Sequence, residues 1–138
     1  MMTIFEKIIS REISSYIVYE DELVIAFLDI MQSTKGHTLV VPKKPYKDIF
    51  EIDEKTLAHL ITVVQKITKA IDSKFNPLGI NLLNNNKESA GQTVFHFHFH
   101  IIPRYKDDQI RFNFVNNMDK LTALDYEKRA SLIKEALL

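Results

Sequence analysis

The chain has 138 residues, of which 46% are hydrophobic and 26% charged, with 18 basic residues against 18 acidic ones and no cysteine. This composition fits a single folded domain. Zero formal net charge excludes the cationic excess that bulk nucleic-acid binding requires, but not a local site for a small nucleotide. The lack of cysteine excludes disulfides and thiolate-based zinc sites.

No apolar run approaches the roughly 18 residues needed to span a bilayer. Met1–Lys7 lacks the basic-then-apolar layout of a secretory leader. The expectation is a cytoplasmic protein with no membrane partner. A single domain over 1–138 is expected, with its core at about 3–105 and a C-terminal extension over 106–138.

In chain order, Thr3 to about Arg11 reads as a short helix, with Ile4, Phe5, Ile8 and Ile9 on one face. Ile17-Val18-Tyr19 and Leu23 to Leu28, joined by Glu20-Asp21-Glu22, read as a hairpin. Asp29 to Gly36 is polar and predicts a loop. His37 to Val41 is a buried strand closed by Pro42.

Asp53 is a good N-cap for a long helix to about Phe75. Its core face would carry Leu57, Leu60, Ile61, Val64, Ile67, Thr68 and Ile71. Asn76-Pro77-Leu78-Gly79 breaks that helix, and Ile80 to Leu83 is a strand. A polar loop, Asn84 to Gln92, leads into a long strand, Thr93 to Ile102, closed by Pro103. Ile110 to Phe114 is a strand or a linker, and Leu121 to Leu138 a helix. Paired strands around one long helix indicate an α+β fold with an antiparallel sheet. No glycine-rich dinucleotide or phosphate-binding loop is present.

The distinctive run is His96-Phe97-His98-Phe99-His100-Ile101-Ile102. On a strand the three imidazoles would share one face, about 6.6 Å apart, while Phe95, Phe97, Phe99 and Ile101 enter the core on the other. Clustered imidazoles depress one another's pKa. A neutral imidazole near pH 7 serves as a nucleophile, a base or a metal ligand. Before the run, Gly91 permits close approach of a ligand to the backbone, and Gln92 and Thr93 add an amide and a hydroxyl. Asn85 could face the same pocket, which would suit an anion. The metal alternative rests on His-x-His supplying two zinc ligands, with His37 and His59 the only other histidines. Adjacent rings on one face converge poorly on a single ion.

The sequence resembles the histidine-triad (HIT) family, in particular its Hint-like branch. His96 to Ile102 matches the family's His-x-His-x-His-hydrophobic-hydrophobic motif. Ile4-Phe5-Glu6-Lys7-Ile8-Ile9, Ala26-Phe27-Leu28-Asp29-Ile30, Gly36 to Lys43 and Gly91-Gln92-Thr93 are similar to its opening helix, ribose segment, next strand and phosphate turn.

The resemblance implies a homodimer whose two five-stranded sheets join into one of ten strands. It also implies a purine nucleotide substrate with an AMP moiety and no cofactor. Asp29 would hold the ribose hydroxyls and Ile30 would pack near the base or sugar. Asn85, Gly91, Gln92 and Thr93 would surround the α-phosphate and leaving group. His98 would be the nucleophile, His100 a phosphate contact, and His37 and His96 supporting residues, with Thr93 completing the catalytic set.

The implied activity is hydrolysis or transfer at the α-phosphate of an adenosine phosphoramidate or acyl-adenylate, through a nucleotidyl-histidine. Thr93 and Pro103-Arg104 also suit the dinucleoside polyphosphate hydrolases of the family, and a nucleotide-binding regulatory protein is the non-enzymatic alternative. Many bacterial members bind a structural zinc through a Cys-x-x-Cys pair. Thr3 and Glu6 stand there in this chain, and the histidine that would follow Pro42-Lys43 is absent, so that metal site is expected to be missing.

Overall fold

The computed structural model describes all residues, Met1–Leu138. Helix α1 spans Ile4–Ile9. Strands β1 (Ile17–Glu20), β2 (Val24–Leu28) and β3 (Thr38–Pro42) follow, then helix α2 (Glu54–Phe75) and strands β4 (Gly79–Leu83) and β5 (Phe99–Arg104), and finally helix α3 (Ala123–Leu137). The five strands form one antiparallel sheet in the order β1-β2-β3-β5-β4. No helix is long and apolar enough to cross a membrane.

Residue alternation along the central strands splits the core into two layers. Val24, Ala26, Val40 and Ile101 face α2 and pack with its Leu60, Val63, Val64, Ile67 and Ile71. Ile25, Phe27, Leu39 and Val41 face the other way, onto Phe5 and Ile8 of α1. Leu39 pairs with His100, so that histidine emerges on the α1 face.

The helix boundaries have local causes. Thr3 and Glu6 form a reciprocal capping box at the start of α1. The helix stops at Ile9, two residues before the expected end, because Arg11 turns to φ 68°. Helix α2 runs from the N-cap Asp53 to Asn76, whose left-handed φ of 49° ends it just before Pro77. Val63 is buried on its core face, whereas Ile61, expected there, is exposed.

The expected strand from Thr93 to Ile102 needs correction. The ladder begins only at Phe99, because the preceding stretch is bent and tied elsewhere. The Phe97 amide donates to the Tyr46 carbonyl at 2.7 Å, and the Gln92 amide donates to the carbonyls of Lys47 and Val94. Phe95 is therefore exposed, while Phe97 is buried as expected. At the other end the strand passes through Pro103 to Arg104. The Arg104 carbonyl faces β4, where it accepts from Leu78, so Pro103 turns its missing N–H toward β3, whose pairing has already ended at Ile101.

Beyond Arg104 the chain is held for a few residues. The guanidinium clasps Asp108, the Asn81 side chain and the Ile110 carbonyl. The stretch from Ile110 to Phe114 is a linker, not a strand. Helix α3 then follows, capped by Thr122 and Asp125, and none of its residues is buried.

Candidate active site

The site lies on the α1 face, where the β2–β3 loop, β5 and the bent segment before it meet. The β2–β3 loop is held by Gln32, whose amide donates to the carbonyls of Asp29 and His37 at 2.7 Å each and accepts from the Gly36 N–H. Gly36 takes φ 91°, and a Cβ there would lie 2.8 Å from the Phe75 ring, so glycine is required. This loop presents Asp29, whose Oδ1 accepts from the Met31 N–H at 2.8 Å and whose Oδ2 lies 3.8 Å from His37 Nε2.

The bent segment sets the histidines. His96 is fully buried and donates from Nε2 to the Pro42 carbonyl at 2.7 Å. His98 Nδ1 lies 2.7 Å from the His96 carbonyl. A carbonyl only accepts, so Nδ1 of His98 carries the proton and Nε2 is left with its lone pair. Asn84 fixes the same residue from behind by donating to the His98 carbonyl at 2.9 Å. The edge of Phe5 packs on both rings, with centroids 5.0 Å from His98 and 5.9 Å from His96. His100 Nδ1 meets His37 Nε2 at 2.9 Å, and the rings of His98 and His100 are 4.9 Å apart. When His37 donates in that contact, the Nε2–H of His100 is left as a donor.

A cavity of about 480 Å³ opens over these groups. His98, His100, Asp29, Ile30 and Thr93 line it, with an apolar wall from Ile4, Phe5, Phe27 and Leu39. Burial lowers the pKa values of His37, His96 and His98 and takes His100 to about 4, where the neighbouring His98 and His37 add to the effect. All four imidazoles are therefore neutral at pH 7. A neutral ring with a bare nitrogen, beside a ring with an outward N–H, is equipped to attack an electrophilic centre bearing an anionic oxygen.

The other residues singled out in the sequence stand around this cavity and do not line it. Gln92 is buried, with its Oε1 taken by the Lys87 N–H and its amide by Lys47 and Val94, so its side chain braces the loop. Gly91 takes φ 94°, and Asn85 reaches its carbonyl at 3.5 Å. His37 and His96 sit behind the rings they hold.

A family model for the HIT domain matches residues 10–107. The chain belongs to the HIT family. This HIT chain is 55% identical over 102 residues to Protein hit of Bacillus subtilis, covering 74% of this chain and 70% of that one. It is 40% identical to the adenosine 5'-monophosphoramidase hnt1 of Schizosaccharomyces pombe over 108 residues, 78% of each. The crystal structure of a HIT family protein from Bacillus anthracis superposes with a TM-score of 0.93 at 50% identity, covering 97% of this chain and 96% of that one.

The donor set at the start of α1 does not fit the structural zinc that the resemblance implies for many bacterial members. Thr3 Oγ1 accepts from the Glu6 N–H, and Glu6 Oε1 accepts from the Thr3 N–H. Both side chains are thus engaged as a helix cap, and Lys44, Pro45 and Tyr46 follow where a histidine would be needed.

Sequence reasoning missed Gln32, Asn84 and the wall residues Ile13 and Tyr16. Gln32 and Asn84 carried no signal beyond being amides in polar loops, and their partners are set by tertiary structure.

Proposed function

We propose that this HIT chain is a nucleotide hydrolase or transferase acting at the α-phosphate of a purine nucleotide conjugate, of the adenosine phosphoramidate or acyl-adenylate type. The observation that carries the reading is the His98 Nδ1–H held on the His96 carbonyl, with Nε2 bare in a cavity shared with His100, Asp29 and Thr93.

His98 Nε2 attacks phosphorus, the bond from phosphorus to the leaving nitrogen or oxygen breaks, and that atom departs with its electron pair and takes up a proton. His98 becomes a cationic nucleotidyl-imidazolium, and its Nδ1–H···O=C bond strengthens because the donor is now charged. Water then attacks phosphorus and releases the nucleoside monophosphate, returning the bonding pair to Nε2. His100 Nε2–H and the Thr93 hydroxyl stabilise the anionic oxygens. Asp29 takes the ribose hydroxyls, and Ile30 packs near the base or sugar. Asn85, Gly91 and Gln92 shape the loop beside the phosphate. The likeness to hnt1, named an adenosine 5'-monophosphoramidase, supports the substrate class.

Arg104 lends no support to the dinucleoside polyphosphate reading, since it is held by Asp108, Asn81 and Ile110 and does not line the cavity. The bare Nε2 of His98 favours an enzyme over a purely regulatory nucleotide binder.

We further propose a homodimer. The edge strand β4 carries the exposed Leu82, and the C-terminal arm exposes Phe114, Val115, Leu132, Ile133 and Leu137. Apolar surface on this scale calls for a partner.

In the test, His98→Ala abolishes hydrolysis of adenosine phosphoramidate while AMP binding by calorimetry persists, and mass spectrometry of quenched wild-type enzyme finds AMP on His98. Normal turnover by His98→Ala overturns the mechanism.

A further inference from the structure

We propose that Asp29, His37 and His100 form a binding site for a divalent cation of the zinc type, and that cation and nucleotide exclude one another there. The exclusion rests on the functional reading above; the cation site does not.

The histidine run itself does not converge on one ion. His96 and His98 each direct one ring nitrogen at a backbone carbonyl, and only His100 turns a nitrogen toward a side chain that a metal could share. A different set converges, drawn from the β2–β3 loop, the start of β3 and β5. One ligand atom from each of Asp29, His37 and His100 lies within 4.8 Å of the others.

His37 Nε2 is 2.9 Å from His100 Nδ1 and 3.8 Å from Asp29 Oδ2. Zinc bonds of about 2.0–2.2 Å imply ligand separations of about 3.3 Å, so the His37–His100 gap opens and the His37–Asp29 gap closes by about half an ångström each, while the Asp29–His100 gap, within 4.8 Å, closes by at most about 1.5 Å. Asp29 Oδ2 accepts no hydrogen bond, whereas Oδ1 is held by Met31, so the free oxygen is the one aimed at the cluster. The facing imidazole nitrogens share a single proton, so one of them already presents a lone pair. Two neutral imidazoles and one carboxylate leave a fourth position open to the cavity, which Asp29 and His100 both line.

The site is not a tight structural one. Metal on Nε2 moves the His37 proton to Nδ1, which is buried with no hydrogen-bond partner. A ligand histidine without that outer partner binds about 10–100-fold more weakly than one that has it. A reversible, concentration-dependent site follows. In the functional reading Asp29 takes the ribose and His100 the phosphate. A bound ion takes the Asp29 carboxylate away from the ribose while His100, ligated through Nδ1, keeps its Nε2–H, so the block acts through Asp29 and the ion takes no part in the reaction.

The experiment titrates chelator-treated, desalted protein with cobalt(II) and follows its visible ligand-field absorption. The expected result is one cobalt per chain, displaced by zinc. Asp29→Asn and His37→Gln each weaken binding by at least about tenfold. His59→Gln, whose ring pairs with Asp21 instead, leaves it unchanged. Thermal melts report folding; if His37→Gln fails to fold, the half-buried Asp29 decides through Asp29→Asn.

No absorption at millimolar cobalt, undiminished binding in the folded variants, or loss of binding in His59→Gln overturns the site. Calorimetry with AMP then tests the exclusion, with zinc raising the AMP dissociation constant at least tenfold. Unchanged AMP affinity at saturating zinc overturns the exclusion. If metal-free protein takes up cobalt as described but binds no AMP, the nucleotide reading fails and the cation site stands.

Discussion

The stretch from Asp29 to Arg104 and the arm that follows it are organised in opposite ways. Around the cavity, the side chains that matter are fixed from within the chain: Gln32 ties the β2–β3 loop, Gln92 ties the segment before β5, and the carbonyls of Pro42 and His96 set two imidazoles. From Asn113 to Leu138 no hydrogen bond or ion pair reaches the sheet, and no residue is buried. A lone helix of about 12–15 residues is marginal in water, and α3 gains little from the rest of its own chain, in keeping with the homodimer proposed above. The site is pre-organised by contacts within the chain, whereas the arm stands exposed.

The strongest way to break this contrast is to cut the internal ties. Gln92→Ala removes three hydrogen bonds, to the backbone of Lys47, Lys87 and Val94. Urea denaturation should show a loss of about 2–4 kcal/mol, with a fall in kcat/KM as the loop loosens. A change below about 0.5 kcal/mol would mean that the loop is held some other way.

Acid probes the same ties collectively. The pKa values of His37, His96, His98 and His100 are all lowered in the folded chain, so between about pH 6.5 and 4 the unfolded state binds more protons than the native state. Stability is full above about 6.5, the unfolded value, and falls as the pH drops toward the folded values, about 4 for His100. Urea midpoints at pH 7.5, 6 and 5 should decrease in that order; a flat series would contradict the burial of these rings.

A smaller effect is expected at Asn84, where Asn84→Ala removes a single hydrogen bond to the His98 carbonyl. It should cost about 1 kcal/mol and lower kcat more than it raises KM, because the proposed nucleophile is loosened and the proposed nucleotide contacts are not.

On the arm, Leu132→Ser should change the stability of the body by less than about 0.5 kcal/mol, as exposed positions do. Ending the chain at Ile110 should nevertheless weaken self-association in sedimentation equilibrium. A truncated chain that associates as tightly as the full one would show that the arm does not dock on a partner copy.

The elements were legible in the sequence wherever periodicity or a local cap decides them. The β-prone apolar runs Val24 to Leu28 and Thr38 to Val41, the apolar stripe of α2, the breaker at Asn76-Pro77 and the helix near the C-terminus all follow from nearest-neighbour chemistry. So did the nomination of His98 and His100, because imidazoles in alternation are chemically conspicuous. Periodicity misled at Thr93 to His98. The pattern there fits a strand, yet hydrogen bonds from Gln92 and Phe97 to the segment before α2 bend the chain out of the ladder. Ile61 illustrates the same limit, since its place in the helical stripe could not reveal that α2 rolls Val63 into the core instead.

The sequence by itself determined the five strands, the long helix and a histidine-rich site, because these depend on residue type and spacing over a few positions. Only the tertiary structure decided what each imidazole does. His96 is a buried ring that donates to the Pro42 carbonyl and whose own carbonyl holds His98, His98 a ring with its proton fixed on Nδ1, and His100 the partner of His37 beside Asp29. Which nitrogen of a histidine is free depends on what the other one touches, and those contacts come from residues up to 63 positions away in the chain.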